Sequence, residues 1–394
     1  MRLRQVRTDG KIENFDVNAG RFVLSDESTE GELVGGMVTP LLAEPHVHLD
    51  AVLLGARAPN RSGTLREGIR NWAQLRESLT EEDVRARARE VVGWYVRQGT
   101  LKIRTHVDTG CPVAVRALLQ LRAELAQDEA LGRPELQVVA FPQEGIFTDT
   151  KKRMAWEEAV HLGCDAVGAI PHFERSTEEG WASVRLAFAL AEKLGLRVDL
   201  HCDETDDPGS RNLEVAAVEA LDRGMGPRTV AGHCTALHSY PNPYAAKVIE
   251  WVARSGILVV CNPLDNSVLQ GRYDNYPRRR GLTRVDQLWE AGAKVGIGHD
   301  SVVDPWYRLG TANLLDAAWL AVHLGHLTSE VQLQNTARCL WRENHLPFGD
   351  APRIAVGEVA DFCWWPVEDE VELLRLRPAP RVFRAGREIR VAKA

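Results

Sequence analysis

Eight short, nearly unbroken apolar segments recur through the middle of this 394-residue chain, with amphipathic segments between them. The apolar segments lie within residues 35–50, 100–108, 136–145, 165–174, 196–204, 228–236, 257–263 and 293–301. Helix-like spacing of Ala, Leu, Arg and Glu is clearest in residues 80–98, 112–129, 178–194 and 243–255. Apolar strands that alternate with helices are typical of a parallel sheet covered on both faces. Eight such repeats favour a (β/α)₈ TIM-like barrel over an open doubly wound sheet.

The two ends of the chain differ from this middle part. Both carry short strand-like pieces separated by polar or glycine turns, such as residues 8–10 and "RVFRAGREIRV" near the C-terminus. We therefore predict an α/β protein with two domains. Residues 1–38 and 348–394 are expected to form a small β-sandwich domain from both termini, and residues 39–347 the catalytic barrel.

Charge and composition narrow the possible partners. The formal net charge is −7 and the pI about 6.0, which argues against a nucleic-acid partner held through its phosphates. No stretch approaches the ~20 apolar residues that span a bilayer. Seven cysteines without a C-x-x-C pair are typical of a reduced protein. We expect a cytoplasmic protein with a small-molecule substrate and no membrane or nucleic-acid partner.

Two histidines stand one residue apart in "EPHVHLD", where the first apolar segment ends. Alternate side chains of a strand face the same way, so His46 and His48 point together. Active sites of such barrels lie at the C-terminal ends of the strands. The pair is suited to binding one metal ion, but two polar side chains at a strand tip would look the same.

Three further residues strengthen the metal interpretation. His201, His233 and Asp300 each close a later apolar segment, in "RVDLHCDE", "TVAGHCT" and "VGIGHD". All of them are therefore expected at the same end of the barrel. Imidazoles together with a carboxylate suit Zn²⁺ or Fe²⁺.

Other candidate residues close to these strand ends are interpreted as supporting. Cys202 and Cys234 follow a histidine directly, face away from it and are expected in the core. His106 and His172 also lie near strand ends, and we expect them to support the ligands or to pack in the core.

This arrangement of ligands resembles the amidohydrolase superfamily of metal-dependent barrels. The resemblance implies His46, His48, His201 and Asp300 as ligands of one divalent metal ion, Fe²⁺ or Zn²⁺. Binuclear members carry a bridging lysine on strand four, whereas residues 165–174 contain none. A mononuclear site is expected, which disfavours cyclic amide hydrolysis.

More local stretches resemble the bacterial cytosine deaminases. They extend from about residue 40 to 345 and include "EPHVHLD", "VAFPQEGI", "DLHCDETDD", "LQGRYDNYPRRRGLTRV" and "GHDSVVDPWYRLGTANLL". The resemblance implies hydrolytic deamination of a free cytosine-type base to uracil or thymine plus ammonia, by a homo-oligomer. Deamination of another amino-substituted N-heterocycle, such as isoguanine or a creatinine-like ring, is the alternative.

The matching positions acquire roles from the same resemblance. Glu204 would carry a proton to a ring nitrogen, and Asp300 would be both metal ligand and base. His233 would hold the attacking water, Gln143 would hydrogen-bond the amide edge of the pyrimidine, and Trp306 would pack on the ring. A non-catalytic binding barrel is disfavoured because it has no need for Glu204.

One position departs from the family pattern. The ligand aspartate is usually followed by a second aspartate, but Ser301 follows Asp300 here. A smaller, uncharged side chain beside the pyrimidine leaves room for a ring substituent. We therefore expect 5-methylcytosine to be accepted. The loop of residues 270–285, with Arg278, Arg279 and Arg280, is either a solvated loop or a lid.

Overall fold

The structure is a computed structural model that describes residues 1–25 and 31–391. Its strands are β1 (Arg2–Thr8), β2 (Lys11–Asn18), β3 (Arg21–Leu24), β4 (Leu33–Val34), β5 (Met37–Pro40), β6 (Leu42–Val47), β7 (Thr100–Asp108), β8 (Glu135–Phe141), β9 (Ala166–Ala169), β10 (Arg197–Cys202), β11 (Thr229–His233), β12 (Leu258–Cys261), β13 (Lys294–Ile297), β14 (Phe362–Trp365), β15 (Arg381–Arg384) and β16 (Arg387–Ile389).

The helices are α1 (Leu65–Leu75), α2 (Glu81–Arg97), α3 (Pro112–Leu125), α4 (Thr150–His161), α5 (Thr177–Leu194), α6 (Asn212–Asp222), α7 (Ala236–Ser239), α8 (Asn242–Ser255), α9 (Pro263–Leu269), α10 (Val285–Glu290), α11 (Leu314–Gly325), α12 (Glu330–Arg338) and α13 (Glu370–Leu376). Short 3₁₀ turns cover Arg76–Ser78, Pro171–Phe173, Gly226–Arg228, Cys339–Trp341 and Glu343–Phe348.

Strands β6 to β13 form one parallel sheet in which each strand pairs with the next along the chain. Helices connect successive strands, and buried side chains of the strands and helices form one large apolar core. Val230, Leu258 and Val260 form a small separate cluster. The predicted (β/α)₈ barrel with a small β domain from both termini is confirmed. Each of the eight apolar segments contains one barrel strand, because these runs are buried on both faces.

The barrel closes where β13 meets β6, and the seam is held at two levels. Near the C-terminal ends of the strands, Val47 and Asp300 form an isolated parallel bridge, and the Asp300 N–H donates to the His46 carbonyl at 2.9 Å. Lower down, the buried Asn344 side chain donates to the carbonyls of Ala43 and Ile297, each at 2.8 Å. The seam therefore places Asp300 directly beside the histidines of β6.

The other sheet has the strand order β16-β15-β14-β5-β1-β2-β3, with β4 paired to β1. It buries its own small aromatic core, in which the Phe362 and Phe383 rings stack at 4.6 Å. The segment 35–50 contributes to both sheets, because Met37–Pro40 pairs with β14 before the barrel begins at Leu42. We propose that the small domain extends to Pro40, two residues beyond the predicted limit.

None of the helices in the described residues is both long and apolar enough to span a membrane. The seven cysteines are free and buried. Cys202 and Cys234 lie in the barrel core, as predicted.

Candidate active site

The predicted ligands meet at the C-terminal end of the barrel. The Nε2 atoms of His48 and His201 are 3.0 Å apart. Asp300 Oδ1 lies 3.7 Å from His46 Nε2 and 3.6 Å from His48 Nε2. Side chains from three different strand ends thus direct their ligand atoms at a common point.

These atoms have the properties of a metal site. Both ring nitrogens of His46 and Nδ1 of His201 are buried, and no described residue offers them a hydrogen bond. Burial, with neighbouring imidazoles as a second cause, lowers the pKa of His46, His48 and His201 well below the usual range. A neutral imidazole is the form that binds a metal. The donor set therefore fits one divalent transition ion.

The backbone around the site adopts unusual conformations. His233 and Asp300 have φ values of 66° and 70°, in the left-handed region that residues with a side chain rarely adopt. His46 packs closely on Gly298, where a Cβ atom would lie 3.0 Å from the His46 Cβ. Strained residues of this kind are held by their surroundings and cluster at functional sites.

Glu204 and His233 face each other across Asn266. Glu204 Oε1 lies 3.7 Å from His233 Nδ1 and accepts a hydrogen bond of 3.2 Å from the Asn266 amide. Burial raises the pKa of Glu204 to about 8 and lowers that of His233 to about 3. A carboxyl group with a pKa near neutrality can both accept and return a proton.

These side chains border a small pocket that opens to solvent. Its lining residues are His48, Leu65, Gln143, His201, Glu204, His233, Asp265, Leu269, Asp300, Ser301 and Trp306. Among the described residues, nothing hydrogen-bonds the Gln143 amide. Trp306 packs against Gly68 of α1, where a Cβ would come within 2.4 Å of the indole. A free amide and an aromatic face suit a small planar heterocycle.

Sequence reasoning missed Asp265, which follows β12 in the first turn of α9. Its Oδ2 accepts a hydrogen bond from the Ser301 hydroxyl at 2.5 Å. A carboxyl group that follows the neighbouring strand thus reaches the edge at Ser301, where the sequence alone indicates only a small, uncharged side chain. The signal was available, since Asp265 stands after a barrel strand as the predicted ligands do.

His106 lies beneath the predicted ligands, as expected for a supporting residue. Its ring is 4.0 Å from that of His46, and its Nε2 lies 3.0 Å from Asp199 Oδ1. Although His46, His106 and Asp199 could together surround an ion, Asp199 already pairs with buried Arg104 at 2.8 Å. This set is better suited to fixing the His46 ring than to binding a second metal.

The loop of residues 270–285 is anchored beside the pocket. Arg279 donates to Asp274 Oδ2 at 2.7 Å and to the Ser239 hydroxyl at 2.6 Å. The Gly271 N–H donates to Asp206 in the loop after β10. Whether this loop acts as a lid remains a prediction.

Comparisons with known proteins agree with this geometry. Residues 80–387 match the amidohydrolase family. A 5-methylcytosine deaminase from Klebsiella pneumoniae, solved with 5-fluorocytosine, superposes with a TM-score of 0.93 at 36% identity, covering 100% of this chain and 98% of that one. A pterin deaminase from Rhizobium rhizogenes is 29% identical over 92% of this chain and 83% of its own length. An N-isopropylammelide isopropyl amidohydrolase from Pseudomonas is 26% identical over 72% of this chain and 68% of its own length.

Proposed function

This chain belongs to the amidohydrolase family and is a hydrolytic aminohydrolase, and from that premise we propose that its substrate is a free cytosine-type base. The reaction would convert cytosine, 5-methylcytosine or both to uracil or thymine and release ammonia. The observation that carries the proposal is the pocket that combines Glu204, Gln143 and Ser301, in a chain similar over its whole length to a 5-methylcytosine deaminase.

The amidohydrolase family uses a divalent metal, and His46, His48 and His201 could bind one. We propose that Asp300 completes the set, because its carboxylate lies within 4 Å of two of these rings. When bound, such an ion acts as a Lewis acid that makes water nucleophilic at neutral pH.

The protein's own groups would move the protons. Asp300 would accept a proton from the attacking water, which His233 would hold by a hydrogen bond. Glu204 would give its proton to the ring nitrogen next to the reacting carbon. The water oxygen then bonds to that carbon. The amino group takes the proton held by Asp300 and leaves as ammonia when the carbon–nitrogen bond breaks, and the remaining hydroxyl proton returns to Glu204 as the carbonyl forms.

Substrate recognition would fall to the remaining pocket residues. The Gln143 amide offers a donor and an acceptor to the amide edge of the pyrimidine. Trp306 would cover one face of the ring, and Ser301 would border the edge that carries C5. The small serine side chain leaves room there for a methyl group, which supports 5-methylcytosine as a substrate.

A second candidate comes from the similarity to pterin deaminase, which covers most of both chains. A pterin has two fused rings. The cavity volume of the pocket is about 20 Å³, so either kind of base must displace side chains to enter, and a single ring requires a smaller displacement than two fused rings. Isoguanine and creatinine-like rings remain further alternatives.

Ammonia release from a panel of bases tests the proposal. The panel holds cytosine, 5-methylcytosine, 5-fluorocytosine, isoguanine, creatinine and pterin, with Glu204→Gln as the inactive control. We expect the wild type to release ammonia from the cytosine-type bases at the highest kcat/KM. A higher kcat/KM for pterin, or no release from any pyrimidine, would replace the proposed substrate.

A further inference from the structure

Asp265 lies in the pocket, and the proposed reaction assigns no role to its carboxyl group. The side chain is buried, and Ser301 donates to its Oδ2. Its Oδ1 is also buried but receives no hydrogen bond from the residues that the structure describes. Burial of a carboxylate oxygen without a hydrogen-bond donor costs free energy, so such an atom usually has a partner that the protein itself does not supply. Because Asp265 lines the pocket, that partner can be the substrate.

The barrel topology indicates which part of the substrate faces Asp265. Gln143 follows β8, the third barrel strand, whereas Asp265 follows β12, the seventh. In an eight-stranded barrel these strands lie opposite each other. A ring whose amide edge contacts Gln143 therefore turns its other edge towards Asp265.

Asp300 and Ser301 indicate where the reacting carbon of the substrate lies. They follow β13, the direct neighbour of β12, and Ser301 touches Asp265. The carbon attacked beside Asp300 and the amino group that it carries thus lie on the Asp265 side of the pocket.

We propose that Asp265 Oδ1 accepts a hydrogen bond from the exocyclic amino group that leaves the ring, and so selects amino-substituted substrates. This inference rests on the proposed deaminase function and makes Asp265 a specificity-determining residue for it. Ser301 is then a positioning residue, because its hydroxyl holds the carboxylate in place. A leaving group without an N–H cannot donate this hydrogen bond, so Asp265 does not stabilise it.

The neighbouring Asp304 provides a matched control. It is equally buried and its Oδ2 also receives no hydrogen bond from the described residues, but it does not line the pocket. Its Oδ1 accepts from the backbone N–H groups of Trp306 and Tyr307, each at 2.9 Å. Its role is to shape the loop that carries Trp306. Asp304→Asn should affect substrates with different leaving groups alike.

The test compares two leaving groups on one ring, cytosine and 4-methoxypyrimidin-2-one, which hydrolyse to the same product. In Asp265→Asn the amide can still accept from Ser301 but would present an N–H to the substrate amine. We expect kcat/KM for cytosine to fall about 10- to 100-fold, the typical cost of leaving a buried polar group without its hydrogen-bond partner. The methoxy analogue should be hydrolysed nearly as well as by the wild type. Ser301→Ala should give the same pattern with a smaller loss.

Equilibrium binding supplies a readout apart from turnover. In a Glu204→Gln background, calorimetry should show that Asp265→Asn weakens binding of cytosine but not of the methoxy analogue. Metal content and the melting temperature should match those of the parent.

The possible outcomes separate the two proposals. Equal losses on both substrates in Asp265→Asn, as in Asp304→Asn, would overturn the role of Asp265 while leaving the deaminase intact. If the wild type releases no ammonia from any amino-substituted base, the proposed function itself fails.

Discussion

Two sets of buried polar residues, one at each end of the barrel, differ in whether their polar atoms have partners. At the N-terminal end, Asn344 makes hydrogen bonds through both its amide nitrogen and its oxygen. Arg104 there bonds Asp199, Gln137 and the Pro347 carbonyl. At the C-terminal end, atoms of His46 and Asp265 have no partner among the described residues.

This contrast separates stability from function within one fold. Buried polar groups with protein partners stabilise the barrel, because each satisfied group avoids its desolvation penalty. Buried polar groups without a protein partner are tolerated where a metal ion or a substrate supplies the missing contact. The comparison predicts that variants at the N-terminal (lower) end of the barrel change the stability of the protein. Variants at the C-terminal (upper) end should change its activity.

Metal removal should have the largest effect on activity, because the proposed metal ion lies at the centre of the site at the upper end of the barrel. We expect about one transition ion per chain and loss of activity with a chelator. Fe²⁺, Zn²⁺ or Mn²⁺ should restore it, as measured by ammonia release and elemental analysis. Full activity in thoroughly metal-free protein would remove the basis of the comparison.

Glu204→Gln tests the proton carrier at the same end. The amide keeps the shape of the side chain but cannot transfer a proton, so kcat should fall by ~10²–10⁴-fold. Metal content should stay unchanged, because Glu204 is not a proposed ligand. Near-normal kcat in this variant would show that another group carries the proton.

Asn344→Ala tests the lower end. The substitution leaves buried backbone groups of Ala43 and Ile297 without partners and opens the seam between β6 and β13. We expect a loss of roughly 3 kcal/mol in the free energy of unfolding, measured by denaturant titration. Asn335→Ala, at an exposed helix position, is the matched control and should be nearly neutral. A stability of Asn344→Ala equal to that control would contradict the contrast between the ends.

The same contrast explains what could be predicted from the sequence. His46, His48 and Asp300 were predicted correctly as neighbours, because strand alternation and strand ends are local signals that a barrel brings together. Asp265 also follows a barrel strand, and that signal could have identified it, but strand alternation does not indicate its direction because it lies in a helix turn. The contact of Asn344 with Ala43 joins residues 301 positions apart, and no local pattern indicates it.

Selection at C5 of the pyrimidine should show the smallest effect. The wild type is expected to deaminate 5-methylcytosine as well as cytosine, with a preference of at most roughly 10–200-fold, since one methyl group in a pocket contributes little more.

Ser301→Asp alone would press a second carboxylate against Asp265, so the informative variant is Ser301→Asp with Asp265→Asn. It moves the single carboxylate to position 301, and we expect the ratio of kcat/KM values to shift towards cytosine. Because both bases carry the same amino group, the ratio cancels any loss from the missing Asp265 carboxylate. Ser301→Ala, which keeps the space open, should leave the ratio near that of the wild type. Absence of 5-methylcytosine turnover by the wild type would show that the space beside Ser301 does not admit the methyl group.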